Sequence, residues 1–356
     1  MKIKKVSILV AMAALFAVSC TNDDGVVTGE EQENDGAYQN GILISNEGPF
    51  NNGTGTVTYI SNDSLLVENG IFKLENNEDL GNIVQSIAFD GDLAYIVVNN
   101  SHKIHVVNRY TFKSEGVIDE GLLNPRYLTV ANGKGYVSNW GDSGDETDDY
   151  IAVIDLATNT VSKSIPTKLG PEAITSNSDF VYVAHKGAFG QNNKVSIIDA
   201  SADTVTSTLT VGDFPNSMQW DSDGNLWVLS GGATGFTGTE TNGTLTEIDA
   251  SANTITQIFD FETTQHPGDL SVEDDTFYFA MSNGVYSFES ESDVLPTEAY
   301  IDGVSFYSMT VNDGKLYGTD AKDYASQGDL YIYDLNTKEL TNTIPVGIIP
   351  GGIYFN

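Results

Sequence analysis

The chain has 356 residues, 40% hydrophobic and 10% aromatic, with 35 glycines, one cysteine and a formal net charge of −34. A single cysteine excludes a disulfide scaffold. A field of this sign disfavours nucleic acid and anionic membrane surfaces as partners. Length alone would allow two domains, but an internal repeat assigns nearly all of the chain to one body.

In chain order, Lys2, Lys4 and Lys5 precede an apolar run from Val6 to Val18. A basic segment followed by an apolar run too short to span a bilayer reads as a signal peptide over 1–19. The run ends Ala17-Val18-Ser19-Cys20. Small residues before a cysteine resemble a bacterial lipobox, with Ala17 where Leu is more usual. Cys20 is therefore the expected lipidation site and the mature N-terminus, its acyl chains anchoring the protein to a membrane. Loss of 1–19 removes three lysines and no acid, leaving −37. Residues 20–40 hold Asp23, Asp24, Glu30, Glu31, Glu33 and Asp35 and no basic side chain, the composition of a disordered acidic tether.

From residue 41 a strand pattern repeats. Tyr150 to Gly187 holds one full cycle: an alternating run closing at Asp155, the turn Ala157-Thr158-Asn159, a second run with Val161 and Ile165, then Gly170-Pro171 and two further runs, Glu172–Thr175 and Phe180–Ala184. Period-two alternation marks half-buried strands. Four of them per ~40–45 residues is the signature of a propeller blade. The residues closing the first run recur as Ser61, Asn108, Asp155, Asp199, Asp249, Glu289 and Asp334, spaced 47, 47, 44, 50, 40 and 45 residues apart. A Pro-anchored run recurs at Pro125, Pro171, Pro215, Pro267 and Pro350, with Val84 and Phe306 in the copies lacking proline. Both series predict an all-β, seven-bladed β-propeller over 41–356, with little helix. The chain stops on one lone innermost strand at 352–356 and the repeat opens at 41–46 without one. The C-terminal strand is thus expected to complete the N-terminal blade and remove two open edges.

The residue after each Pro motif should ring the central opening: Gln85, Arg126, Glu172, Asn216, Gly268, Tyr307 and Gly351. This mixed ring reads equally as an asymmetric small-molecule site or a water-filled channel mouth. On the same face lie the variable loops between second and third strands, 46–54, 99–103, 139–149, 185–193, 230–243, 281–283 and 320–328. Several carry one aromatic amid Gly, Asn and Thr: Phe50, Trp140, Phe189, Phe236 and Tyr324. These make either a platform for a large flat ligand or covers on neighbouring blades. The candidate contact set is Phe50, Arg126, Asn139, Trp140, His185, Phe189, Phe236, Tyr307 and Tyr324. The acidic loop 142–149 lacks the spacing of a dedicated calcium loop. His105 reads as packed, and no histidine pair has zinc spacing. With no Gly-x-Ser-x-Gly elbow, Ser-x-x-Lys or phosphate loop, the expectation is a binding protein rather than an enzyme, without metal or intrinsic cofactor.

The segments VIDLATNTVSKSIP, GPEAI, VYVAHKG, VSIIDASADTV and LYIYDLNTKELTNTIPVG resemble the YncE-like, YVTN-repeat propellers, and the likeness runs over 41–356. With the lipobox and the acidic Thr21-Asn22-Asp23-Asp24, the chain resembles Bacteroidetes surface lipoproteins that sit on TonB-dependent outer-membrane transporters. That resemblance implies an outer-membrane, cell-surface protein capturing a scarce cofactor: cobalamin, or alternatively a ferric siderophore or haem. A ligand-free interaction propeller is the other reading. The chain has only two arginines, Arg109 and Arg126, and amide-rich loops. This favours a near-neutral, amide-fringed ligand such as cobalamin over a polyanionic catecholate.

Overall fold

A computed structural model describes residues 36–50, 53–142, 144–262 and 264–356. The signal peptide, Cys20 and the tether as far as residue 35 lie outside the described residues. Seven four-stranded antiparallel sheets make the body. The innermost strands are Val84–Asp90, Pro125–Ala131, Pro171–Ser176, Pro215–Trp220, Gly268–Glu273, Ser308–Asn312 and Pro350–Phe355. Each touches the next around the ring, and the last touches the first. The body is therefore a closed seven-bladed propeller.

The ring closes as its ends predict. Pro350–Phe355 pairs with Gly41–Asn46, which pairs with Thr56–Ser61 and then Val67–Asn69, so the first blade is built from both ends of the ring. Asn46, fully buried, locks this seam. Its amide donates to Thr58 Oγ1 at 3.0 Å, and its carbonyl accepts the Gly347 N–H at 3.0 Å.

The repeated acidic or amide residue that closes each third strand has a local cause. Asp155, Asp199, Asp249 and Asp334 each accept two backbone N–H groups of the following turn, at 2.8–3.2 Å, as does Asn108. Such side-chain turns replace the ladder where the chain reverses. Four residues further on, Asn159, Asp203, Asn253 and Lys338 take positive φ of 54–63°. Asn and Asp tolerate that region best among non-glycine residues. A bulge follows in each of these hairpins, fixing its register.

The core lies between blades. Trp227, Leu229 and Phe259 of the fifth blade pack on Phe277, Phe279 and Phe288 of the sixth. The second strand of each blade is buried almost throughout, as in Leu226–Ser230 and Leu93–Val98. Sandwiched on both faces, these strands read as apolar runs, and each large side chain contributes about 1.5–3 kcal/mol.

Two features differ from the sequence reading. Residues 36–40, assigned to the tether, belong to the body. Tyr38 is buried against Tyr59 and Phe112, and its backbone carbonyl accepts the Asn356 amide. One tyrosine amid acidic residues carried too little pattern to reveal this packing. A short helix, Ile71–Asn76, also links the first two blades and buries Ile71 and Phe72. At under two turns it is too short to leave a helical period.

Candidate functional site

The innermost strands begin, and the second strands end, on the same face. At five of the seven innermost strands the preceding residue binds the two together. Ile83, Asn124, Gly170, Phe214 and Ile349 all have positive φ, between 51° and 66°. Their carbonyls accept N–H groups from Asn99, Trp140, Lys186, Gly231 and Glu47, the first loop residues, at 2.8–3.1 Å. For Ile83 and Ile349 this conformation is strained, because a β-branched side chain crowds the backbone there. The reward is a fixed relation between channel mouth and loops.

Ring and loops meet at Arg126. Its guanidinium donates to both Glu172 oxygens, Nε–Oε2 at 3.0 Å and Nη2–Oε1 at 2.8 Å, and to Gln85 Oε1. Trp140 covers its face, with Cζ 4.2 Å from the ring. Trp140 is itself held by a 3.0 Å bond from Nε1 to the Pro171 carbonyl. The side chains of Arg126 and Glu172 are 15% and 6% exposed, so the pair is nearly dry. Burial disfavours the guanidinium charge, and Glu172 more than offsets this, raising the Arg126 pKa above its ordinary value. The one arginine of the channel mouth is thus neutralised and stacked.

Two further carboxylates face the mouth. Glu47, from loop 46–54, accepts the Tyr307 hydroxyl at 2.8 Å. Desolvation lifts its carboxyl above the usual range, against the Tyr307 bond and the field of Arg126. Asp269 sits deep among protein atoms, although it keeps some surface in the channel. Desolvation pushes its pKa to about 7 despite Lys186. The burial of Tyr127 pushes its phenol well above the ordinary tyrosine value.

The nine candidate contact residues separate by position. Trp140 and Phe189 form an edge-to-face pair at 5.7 Å, and Tyr307 and Tyr324 another at 5.8 Å. Phe189, Tyr307 and Tyr324 are exposed, as are Phe50 and Phe236, the last completely. Arg126 lies under the Trp140 ring of the first pair. Asn139 and His185 are fully buried and do not reach the exposed surface of the loop face. Their short polar side chains end second strands and clamp the incoming links. Asn139 Oδ1 accepts Leu123 N–H, and its amide donates to Val137 O. His185 Nδ1 pairs with Lys168 O at 2.9 Å and Nε2 with Ser196 Oγ at 2.8 Å. Burial pushes the His185 pKa down to about 4, so the ring is neutral. Sequence reasoning placed both at loop starts but could not tell inward from outward. It left Glu47 out of the contact set, although Glu47 is the one carboxylate of its loop and that was the signal available.

His105 is buried, as expected, bonded to Leu80 O and packed on Phe72. In the acidic loop, Asp149 is buried and accepts the Gly170 N–H, and desolvation raises its pKa to about 6. Among the described residues no group of three or more His, Cys, Asp or Glu side chains could hold a metal ion. No described helix is long and apolar enough to cross a membrane.

The sequence matches the DUF5074 family, a domain of unknown function, over residues 40–346. The chain belongs to this family. None of the curated proteins matches the DUF5074 chain. Among solved structures it is similar to a quinonprotein alcohol dehydrogenase-like protein from Bacteroides thetaiotaomicron, at 14% identity and TM-score 0.66, covering 90% of this chain and 79% of that one. A functionally unknown protein from Desulfotomaculum acetoxidans matches at 13% identity and TM-score 0.64, covering 89% and 99%. Kuenenia stuttgartiensis hydrazine synthase matches at 16% and 0.57, covering 74% and 86%. At these identities the likeness shows the propeller fold alone. Two enzymes, hydrazine synthase and the dihydro-heme d1 dehydrogenase NirN, stand among the neighbours, so the fold does not by itself separate enzyme from binder.

Proposed function

We propose that this protein is a lipid-anchored surface propeller that captures a bulky, nearly neutral, amide-fringed cofactor on its loop face. Cobalamin is the ligand whose chemistry fits best, and a TonB-dependent outer-membrane transporter is the proposed recipient. The observation that carries the reading is the state of Arg126. Its charge is spent on Glu172 and its face on Trp140, so the mouth offers an anionic ligand little. Arg109 is engaged elsewhere, over Phe89 and on the Phe355 carbonyl. What the face offers is exposed aromatic surface, Phe50, Phe189, Phe236 and Tyr324, around buried polar groups. Large ligands are held by this combination of apolar platform and a few fixed polar groups.

The test is a calorimetric titration of the soluble form beginning at Thr21 with cyanocobalamin, with ferric enterobactin and haem in parallel. Saturable one-to-one cobalamin binding, weakened by Trp140→Ala or Phe236→Ala, is expected. Equal or tighter binding of the ferric catecholate would overturn the ligand assignment. Binding of none of the three would move the reading to a protein-interaction propeller, for which the exposed Phe189 and Phe236 are the observations in favour.

A further inference from the structure

Glu47, Tyr307 and Tyr324 form a corner of the channel mouth in which the capture reading counts Tyr324 as platform and gives Glu47 no role. Tyr307 and Tyr324 form an edge-to-face pair, centroids 5.8 Å apart with their planes at 79°. They are 38% and 56% exposed, which leaves the pair open to solvent. Glu47 lies at its edge, its Oε1 2.8 Å from the Tyr307 hydroxyl. Gly351 borders the carboxylate, and even a Cβ there would come within 3.2 Å of Glu47 Oε1.

The corner is built rather than incidental. Tyr324 has φ of +60°, a conformation a bulky residue adopts only when its surroundings impose it. Asp323 holds that loop through the Ala325 and Ser326 N–H groups, at 3.1 and 2.7 Å. On the other side, Glu47 N–H donates to Ile349 O at 2.8 Å and Gly48 N–H to Ile348 O at 3.0 Å. The loops carrying Tyr324 and Glu47 are thus each pinned through backbone groups.

Among the described residues the carboxylate has no cationic partner in contact. Arg126 is bidentate on Glu172 and covered by Trp140. Lys322, from the Tyr324 loop, is paired with Asp329 at 2.8 Å. A half-buried carboxylate hydrogen-bonded to one of a pair of partly exposed tyrosine rings is an arrangement that attracts an organic cation, because ring quadrupoles and the carboxylate act on the same charge.

We infer that Glu47, Tyr307 and Tyr324 form a subsite for an organic cation, an alkylammonium or quaternary ammonium group carried by a ligand or partner. Glu47 supplies the counter-charge and the two tyrosines the aromatic surface. Arg126 and Glu172, bound to each other, leave the local field close to neutral. The subsite goes beyond the capture reading and stands whether or not cobalamin is the main ligand.

The experiment titrates the form beginning at Thr21 with benzyltrimethylammonium chloride against matched sodium chloride, following tyrosine ring resonances by NMR. The neutral isostere, with a quaternary carbon in place of nitrogen, runs beside it. Saturable shifts confined to Tyr307 and Tyr324 are expected. Glu47→Gln and Tyr324→Ala should each weaken binding about tenfold, and the neutral isostere should bind weaker by a similar factor. Tyr324 is exposed, so Tyr324→Ala keeps the fold and guards against misreading a destabilised Glu47 variant. Three results would overturn the inference: no saturable shift beyond matched salt, equal binding by both variants, or equal binding of the neutral isostere. The last would reduce the corner to an apolar patch, and the second to diffuse attraction by an acidic surface.

Discussion

Glu172→Ala removes the counter-charge of a guanidinium that is only 15% exposed, leaving Gln85 and the Trp140 face as its contacts. Stranding one member of a buried pair costs about 3–5 kcal/mol, and channel water places this site near the lower figure. A body of about 320 residues has an unfolding entropy near 0.7 kcal/mol/K, so a loss of about 3 kcal/mol lowers the melting temperature by about 4–5 °C. Arg126→Met should cost a comparable amount by stranding Glu172. The Arg126→Met, Glu172→Ala double variant should cost less than the sum of the two, with a coupling of about 2 kcal/mol. Thermal and urea unfolding of the four proteins, followed by circular dichroism, measures this cycle. Additivity within about 0.5 kcal/mol would refute the claim that Arg126 is neutralised by Glu172. The argument for a ligand of low charge would fall with it.

Other outcomes follow from the same geometry. His185 has a folded pKa of about 4, below its unfolded value near 6.5, so the unfolded chain binds the extra proton between those limits. Its contribution is intact above pH 6.5 and falls as the pH drops toward 4, by about 3 kcal/mol at most. Asp149 and Asp269, whose folded pKa values are raised, act in the opposite sense. The measurable quantity is therefore wild type minus His185→Gln, and a pH-independent difference would sink the assignment of a neutral buried ring. Removal of residues 350–356 uncovers Gly41–Asn46 as an open innermost edge. Size-exclusion chromatography should find aggregate, and a stable monomer would show that the seam is dispensable. Phe236→Ala should leave stability within about 0.5 kcal/mol, whereas Phe277→Ala, buried against Trp227, should cost about 3–5 kcal/mol in urea unfolding.

The blade count was legible because five of the seven hairpin turns use a side chain that accepts two N–H groups. Asp155, Asp199, Asp249 and Asp334 therefore mark the repeat in the sequence itself. The Pro motifs marked the channel for a similar reason, since each one starts an innermost strand. Loop residues were harder to read. Asn139 and His185 occupy positions where a polar residue on a loop and a polar residue under a loop leave the same sequence trace. What separates them is the carbonyl or amide of a link from elsewhere in the chain, such as Lys168 O for His185. The pairing of Arg126 with Glu172, 46 residues apart, depends on the angle between adjacent blades, and no local pattern encodes that angle. Tyr38 was missed for the opposite reason, being one anchored residue in a segment of disordered composition.

That anchored residue bears on how the body meets a mechanical load. The chain enters the ring on the face opposite the loops, where Tyr38 N–H donates to Tyr110 O at 2.9 Å and its hydroxyl to Glu75 at 2.8 Å. Asn356 reaches back from the last strand to the carbonyls of Tyr38 and Arg109. A pull on the N-terminal segment must first strip Tyr38 from these contacts and from the rings of Tyr59 and Phe112. Only then does tension reach the pairing of Gly41–Asn46 with Pro350–Phe355, which would otherwise unzip one bond at a time from its Ile42–Phe355 end. Residues 36–40 therefore act as a cable grip, spreading tension over two neighbouring blades before it arrives at the joint that keeps the ring shut.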